Sequence, residues 1–220
     1  MKKHAIKDTL LRVIILMVGL TIAHLGVTLF ILADMGTDPF NVLVQGVFRT
    51  LSGWLQWPFL THGRTHVAMC LLIVLVLLAV DRSYIRIGTL LCMLFGGPII
   101  DVFTVLLSPL FALGGGVVFK LIMLVLGCVI LAYGMTAVIR SQAGTGPNDL
   151  VAVVISDKSK KKFSIVRIVT DVAFVAIGFA LGGSFGVGTL ICAACVGPVA
   201  GIFLPINGRL IDRILKKVNA

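Results

Sequence analysis

The sequence predicts an all-α membrane protein of six transmembrane helices, arranged as two inverted three-helix repeats that each carry one short re-entrant or interfacial helix. Three observations predict it. Of 220 residues, 59% are hydrophobic and 13% are charged, too few polar groups to cover a water-soluble domain of this size. The chain also repeats itself. With a shift of 108, Gly19 falls on Gly127, Gly26 on Gly134, Thr28 on Thr136, Gly36 on Gly144, Thr37 on Thr145 and Pro39 on Pro147. With a shift of 100, Gly88-Thr89-Leu90 falls on Gly188-Thr189-Leu190, Cys92 on Cys192 and Gly97-Pro98 on Gly197-Pro198. Finally, the basic residues gather at one side of the apolar runs rather than evenly along the chain.

Six apolar segments stand out, at 10–33, 65–80, 88–110, 116–139, 163–182 and 187–205, against the roughly 20 residues that cross a bilayer. The first is too long for a signal-peptide core and lacks a cleavage site, so it reads as a retained helix. Two shorter helical segments, 38–51 and 147–156, follow the repeated turns, and each starts with a proline, Pro39 or Pro147, in its first turn. They are too short to span. The repeats divide at 1–112 and 113–220.

With the N-terminus in the cytoplasm, sixteen of the nineteen Lys and Arg lie at the inner face, leaving Arg49, Arg64 and Lys120 outside. The positive-inside rule then predicts both termini cytoplasmic. Topology thus explains the net charge of +10, and no nucleic-acid partner is needed. Three spans per repeat is an odd number, so the second half enters the membrane upside down. The motif Gly36-Thr37-Asp38-Pro39-Phe40-Asn41 faces out and Gly144-Thr145-Gly146-Pro147-Asn148-Asp149 faces in. Inverted repeats with short helices from opposite faces are a recurring transporter design.

These motifs also resemble the YczE/YyaS/YitT-type bacterial membrane proteins. The likeness rests on the Gly-Thr-x-Pro turn after the first helix of each half and on Gly-Thr followed by Gly-Pro at Gly88-Thr89…Gly97-Pro98 and Gly188-Thr189…Gly197-Pro198. It spans about Leu10 to Arg209. The resemblance implies a polytopic cytoplasmic-membrane protein, often assumed to be a transporter, and supplies no catalytic residues.

Several side chains are candidates for chemistry. Asp38 can cap the short helix that follows it, or the two short helices can aim their positive ends at a site lined by Asp38, Asn41, Asn148 and Asp149. Asp171 and Asp101 sit within apolar segments, where an unpaired carboxylate is costly and tends to be functional. Arg167 precedes Asp171 by four residues and shares its helical face. Their pairing reads either as a structural lock or as substrate or proton handling. Arg64 is a loose counterpart of Arg167, while Asp101 matches Gly201. His24 reads as a hydrogen-bonded packing residue, with a proton relay as the sharper alternative. His62 and His66 read as a surface feature. Gly36, Pro39, Gly97, Pro98, Gly144, Pro147, Gly197 and Pro198 mark helix breaks or hinges. The five cysteines lie in apolar segments, so neither a disulfide framework nor a zinc site is expected, and Cys192-x-x-Cys195 reads as core packing.

The expected function is a small-molecule or ion permease working by alternating access, without a cofactor and without a nucleotide-binding motif. Its partners are the lipid bilayer, a substrate, and a second copy or another membrane protein. The rival is a non-transporting adaptor that engages a partner complex through its glycine-rich faces and the basic loop Lys158–Lys162. An enzyme is not expected, because no catalytic set has suitable spacing.

Overall fold

The computed structural model describes residues 2–113, 116–161 and 163–219. Every regular element among the described residues is helical. In chain order they are α1 (Lys2–Ala33), α2 (Pro39–Leu55), α3 (His62–Asp81), a 3-10 turn (Arg82–Tyr84), α4 (Ile87–Ala112), α5 (Val117–Ser141), α6 (Pro147–Ser159), α7 (Phe163–Ala180) and α8 (Val187–Asn219). Among the described residues, five segments are long and apolar enough to cross a membrane: Lys7–Ala33, His62–Tyr84, Ile87–Ala112, Val117–Ser141 and Val187–Lys217. Helix α7, with 18 residues, is not among these five. Large apolar side chains such as Leu72, Val105, Val118, Ile168 and Val172 point outward, as they do where lipid rather than water is the solvent. The protein is a multi-pass membrane protein.

The centre of the fold is the pair α1 and α5. A Cβ on Gly26 would stand 2.7 Å from the Gly127 carbonyl oxygen, and one on Gly134 2.6 Å from that of Gly19. The early glycine of each helix therefore meets the late glycine of the other, so the two run antiparallel. Only glycine permits this backbone approach. Phe30 and Leu124 bury together at one end of the seam, and Leu16 and Val138 at the other. Helix α4 packs on α1, α8 on α5, and α2 on α7.

The repeated turns lock onto the far helices in matching ways. The Gly188 amide donates to the Met35 carbonyl at 2.7 Å, and the Gly88 amide to the Ala143 carbonyl at 3.0 Å. Gly36 and Gly144 follow those carbonyls with φ of +101° and +148°. A side chain at Gly36 would also meet the Thr189 hydroxyl at 2.5 Å. Both backbone conformation and space therefore demand glycine there.

The contact of α3 with α4 is not matched. In the first half α3 lies against α4: a Cβ on Gly97 would collide with the Gly63 carbonyl, and Asp101 accepts from the Gly63 amide at 2.9 Å and the Thr61 hydroxyl at 2.5 Å. In the second half α7 and α8 scarcely touch. Gly197 and Gly201 have open space where side chains would stand.

Some element boundaries differ from those the sequence predicts. Helix α8 continues past residue 205 to Asn219, because its tail is amphipathic: Ile211 and Leu215, four apart, are buried while Arg209, Asp212 and Arg213 are exposed. Helices α4 and α8 are continuous through Gly97-Pro98 and Gly197-Pro198, so neither motif ends its helix. A proline removes one ladder bond, which membrane helices tolerate when neighbours support them.

Candidate functional site

The two short helices converge on a polar cluster inside the bundle. Helix α2 opens with Asp38, whose Oδ1 accepts from the Asn41 amide at 3.2 Å. Its Oδ2 accepts from Asn41 Nδ2 at 2.8 Å and the Thr37 hydroxyl at 3.2 Å. This is an N-cap: an acceptor meeting amides that have no helical partner. Helix α6 opens on Gly146, which has no side chain to cap it. Its first-turn Asp149 turns to α7 instead, where Arg167 Nη1 donates to Asp149 Oδ1 at 2.6 Å and Nε to Asp171 Oδ2 at 2.9 Å. Asn148 Nδ2 donates to the same Asp149 oxygen at 3.3 Å.

These groups share one electrostatic neighbourhood. Asp171 feels the charges of Arg167, Asp38 and Asp149. Cys192 of α8 feels Asp38, Asp171 and Arg167, while Cys92 of α4 feels Asp149. Asp38 and Asp149 thus approach Asp171 from the two repeated motifs. The three side chains of the Arg167 bridge remain 28–33% exposed, so the cluster is not sealed. Its geometry can hold a charged or strongly polar ligand by exchange with the Arg167 bonds.

Of the sequence-predicted residues, Asp38, Asn41, Asn148, Asp149, Arg167 and Asp171 are brought together. Asp101 is not; it holds the first turn of α3. Gly36, Pro39, Gly144 and Pro147 form the turns and first residues of α2 and α6. Within α4, Gly97 is a contact with α3. Residue Lys162 of the basic loop lies outside the described residues.

Sequence reasoning assigns His62 and His66 to the surface, and the structure corrects this. His62 Nε2 lies 3.2 Å from Asn41 Oδ1. His66 is buried, edge-on to His24 with ring centroids 5.6 Å apart and to Phe40 at 5.4 Å. The physical reason is helical spacing. Residues 62, 66 and 70 share the face that α3 turns to α2, while Arg64 points out and bonds the Phe59 carbonyl. His24 Nδ1 lies 2.9 Å from the Leu20 carbonyl oxygen, a packing contact within its own helix. Cys195 is exposed rather than packed, while the other four cysteines are buried. No group of three or more His, Cys, Asp or Glu suited to a metal occurs among the described residues.

Val42, Leu43 and Gly46 of α2 pack on Gly178 of α7, and Leu150 and Val154, 108 residues beyond Val42 and Gly46, cluster with Leu77 of α3.

Comparison with known proteins finds uncharacterized relatives along most of the chain. An uncharacterized protein of Haemophilus influenzae is 28% identical over 196 residues, covering 89% of this chain and 84% of the relative. The uncharacterized membrane protein YczE of Bacillus subtilis is 27% identical over 195 residues, covering 88% and 86%. The uncharacterized protein YyaS of Bacillus subtilis is 24% identical over 192 residues, covering 87% and 92%. No solved structure matches. The pattern of a family of unknown function, DUF6198, matches residues 10–205. The chain belongs to this family, in company with the YczE- and YyaS-type membrane proteins.

Proposed function

We propose that the chain is a small-molecule or ion permease of the bacterial cytoplasmic membrane, working by alternating access between inverted halves, residues 1–112 and 113–220. The observation that carries the reading is the charged cluster at the starts of the two short helices, with Arg167 bound to Asp149 and Asp171 and Asp38 in electrostatic reach. Charges within a membrane bundle are costly, and in transporters they gather where short helices from two repeats meet. The antiparallel glycine seam of α1 and α5 supports inversion, since a two-fold axis in the membrane plane relates such a pair. The unequal helix pairs support a moving part. Close contact of α3 with α4 beside open space at α8 is what one end state of a rocking pair of halves looks like.

The test is a thermal-shift screen of a broad metabolite and ion panel on the purified protein, beside Asp171→Asn. The reading expects a compound that raises the melting temperature of the wild type and not of the folded variant. A panel that stabilises neither, or both alike, counts against a site at Asp171.

A further inference from the structure

A second polar feature, lined by none of the residues of the Arg167 cluster, owes nothing to the permease reading. The start of α4, the end of α5, the start of α6, the 3-10 turn and Arg12 of α1 line an open cavity of about 800 Å3. Arg12 and Arg86 line it, and none of its lining residues among those described is acidic. Arg12 is held in place by Asp8 at 2.7 Å, Gln142 Oε1 at 2.9 Å and the Ser141 carbonyl at 3.3 Å. Arg86 makes one long bond, 3.4 Å to the Gln142 carbonyl. A guanidinium has five N–H donors, so most of those on Arg86 are unspent. The hydroxyls of Ser83 and Thr145 line the same space, with apolar wall from Ile139 and Leu150.

We propose that this cavity binds a phosphate-bearing anion. One arginine is fixed and its neighbour has a free fork, and such pairs hold phosphate oxygens through parallel charge-assisted bonds. The hydroxyls add neutral donors, and the apolar wall suits the carbon part of a phosphate ester. Two sources carry that chemistry: the headgroup of an anionic phospholipid and a soluble phosphomonoester. The site lies at the basic end of the bundle, where the positive-inside reading puts the inner leaflet, and basic pockets between helices there take anionic headgroups.

The experiment uses the full chain in uncharged detergent, with native mass spectrometry for phosphatidylglycerol binding and thermal shift for glycerol phosphate. Wild type is compared with Arg86→Gln and with Arg213→Gln, an exposed basic residue elsewhere on α8. The expected result is about tenfold weaker binding in R86Q alone, as for loss of one charge-assisted contact. Loss confined to phosphatidylglycerol identifies a lipid site, and loss that includes glycerol phosphate a soluble ligand site. Equal binding by wild type and R86Q, or no binding of either probe to wild type, overturns the proposal. If R86Q does not fold, Arg86→Lys, which keeps the charge and loses the fork, carries the same comparison.

Discussion

Helices α3 and α4 are packed through Gly63, Gly97 and Asp101, whereas α7 and α8 stand apart with Gly197 and Gly201 uncovered. The same Gly-Pro motif sits in both places. The difference teaches that the motif fixes a surface able to accept a close neighbour, not the presence of that neighbour. Glycine at Gly97 is required by the contact it makes now. At Gly197 no contact in this conformation requires it, which is the pattern expected if α7 closes on α8 in another state.

The largest break in the comparison comes from leucine at the two glycines. Gly97→Leu forces a side chain into the α3 backbone and costs about 3 kcal/mol, while Gly197→Leu changes stability by less than about 0.5 kcal/mol. Unfolding in detergent measures both, and equal losses would erase the asymmetry. Next is Arg167→Gln, which leaves Asp149 and Asp171 facing each other without their cation. A broken buried pair costs about 3–5 kcal/mol, and these partners are about 30% exposed, so about 2 kcal/mol is expected. Adding Asp171→Asn to that background recovers part of the loss, because one of the two stranded charges is gone. Smaller again is Asp101→Ala, which removes the acceptor for Gly63 and Thr61 at the start of α3 and costs about 1 kcal/mol. Its counterpart Gly201→Ala is neutral in the same assay. The smallest is Cys195→Ser, exposed and unpaired with another cysteine, at less than about 0.5 kcal/mol.

Much of this was legible before any coordinates. The doubled glycines of α1 and α5 announce a close helix pair, because small residues at helical spacing in apolar sequence serve backbone approach. Asp38 before Pro39 announces a capped helix start. The approach of Arg167 to Asp171 follows from their four-residue spacing. Three things were not legible. His66 could not be assigned to the interior, since the face that α3 turns inward depends on where α2 packs and not on α3 alone. The bond from Arg167 to Asp149 joins residues 18 apart on different helices, and no local pattern encodes it. The open face of α8 was hidden by the repeat itself, because identical motifs predict identical surroundings and the chain departs from that.

The central claim is that the two halves lie in the membrane upside down relative to each other. Labelling of single cysteines by a membrane-impermeant thiol reagent tests it most directly. In a Cys195→Ser background, with the four remaining cysteines buried, a cysteine is placed at exposed Gly53 near the end of α2 or at exposed Ser159 at the end of α6. Inverted halves predict that Gly53→Cys reacts only from outside intact cells and Ser159→Cys only from the cytoplasmic side of inverted vesicles. Reaction of both from the same side would mean that the halves are parallel, and the alternating-access reading would fall with them.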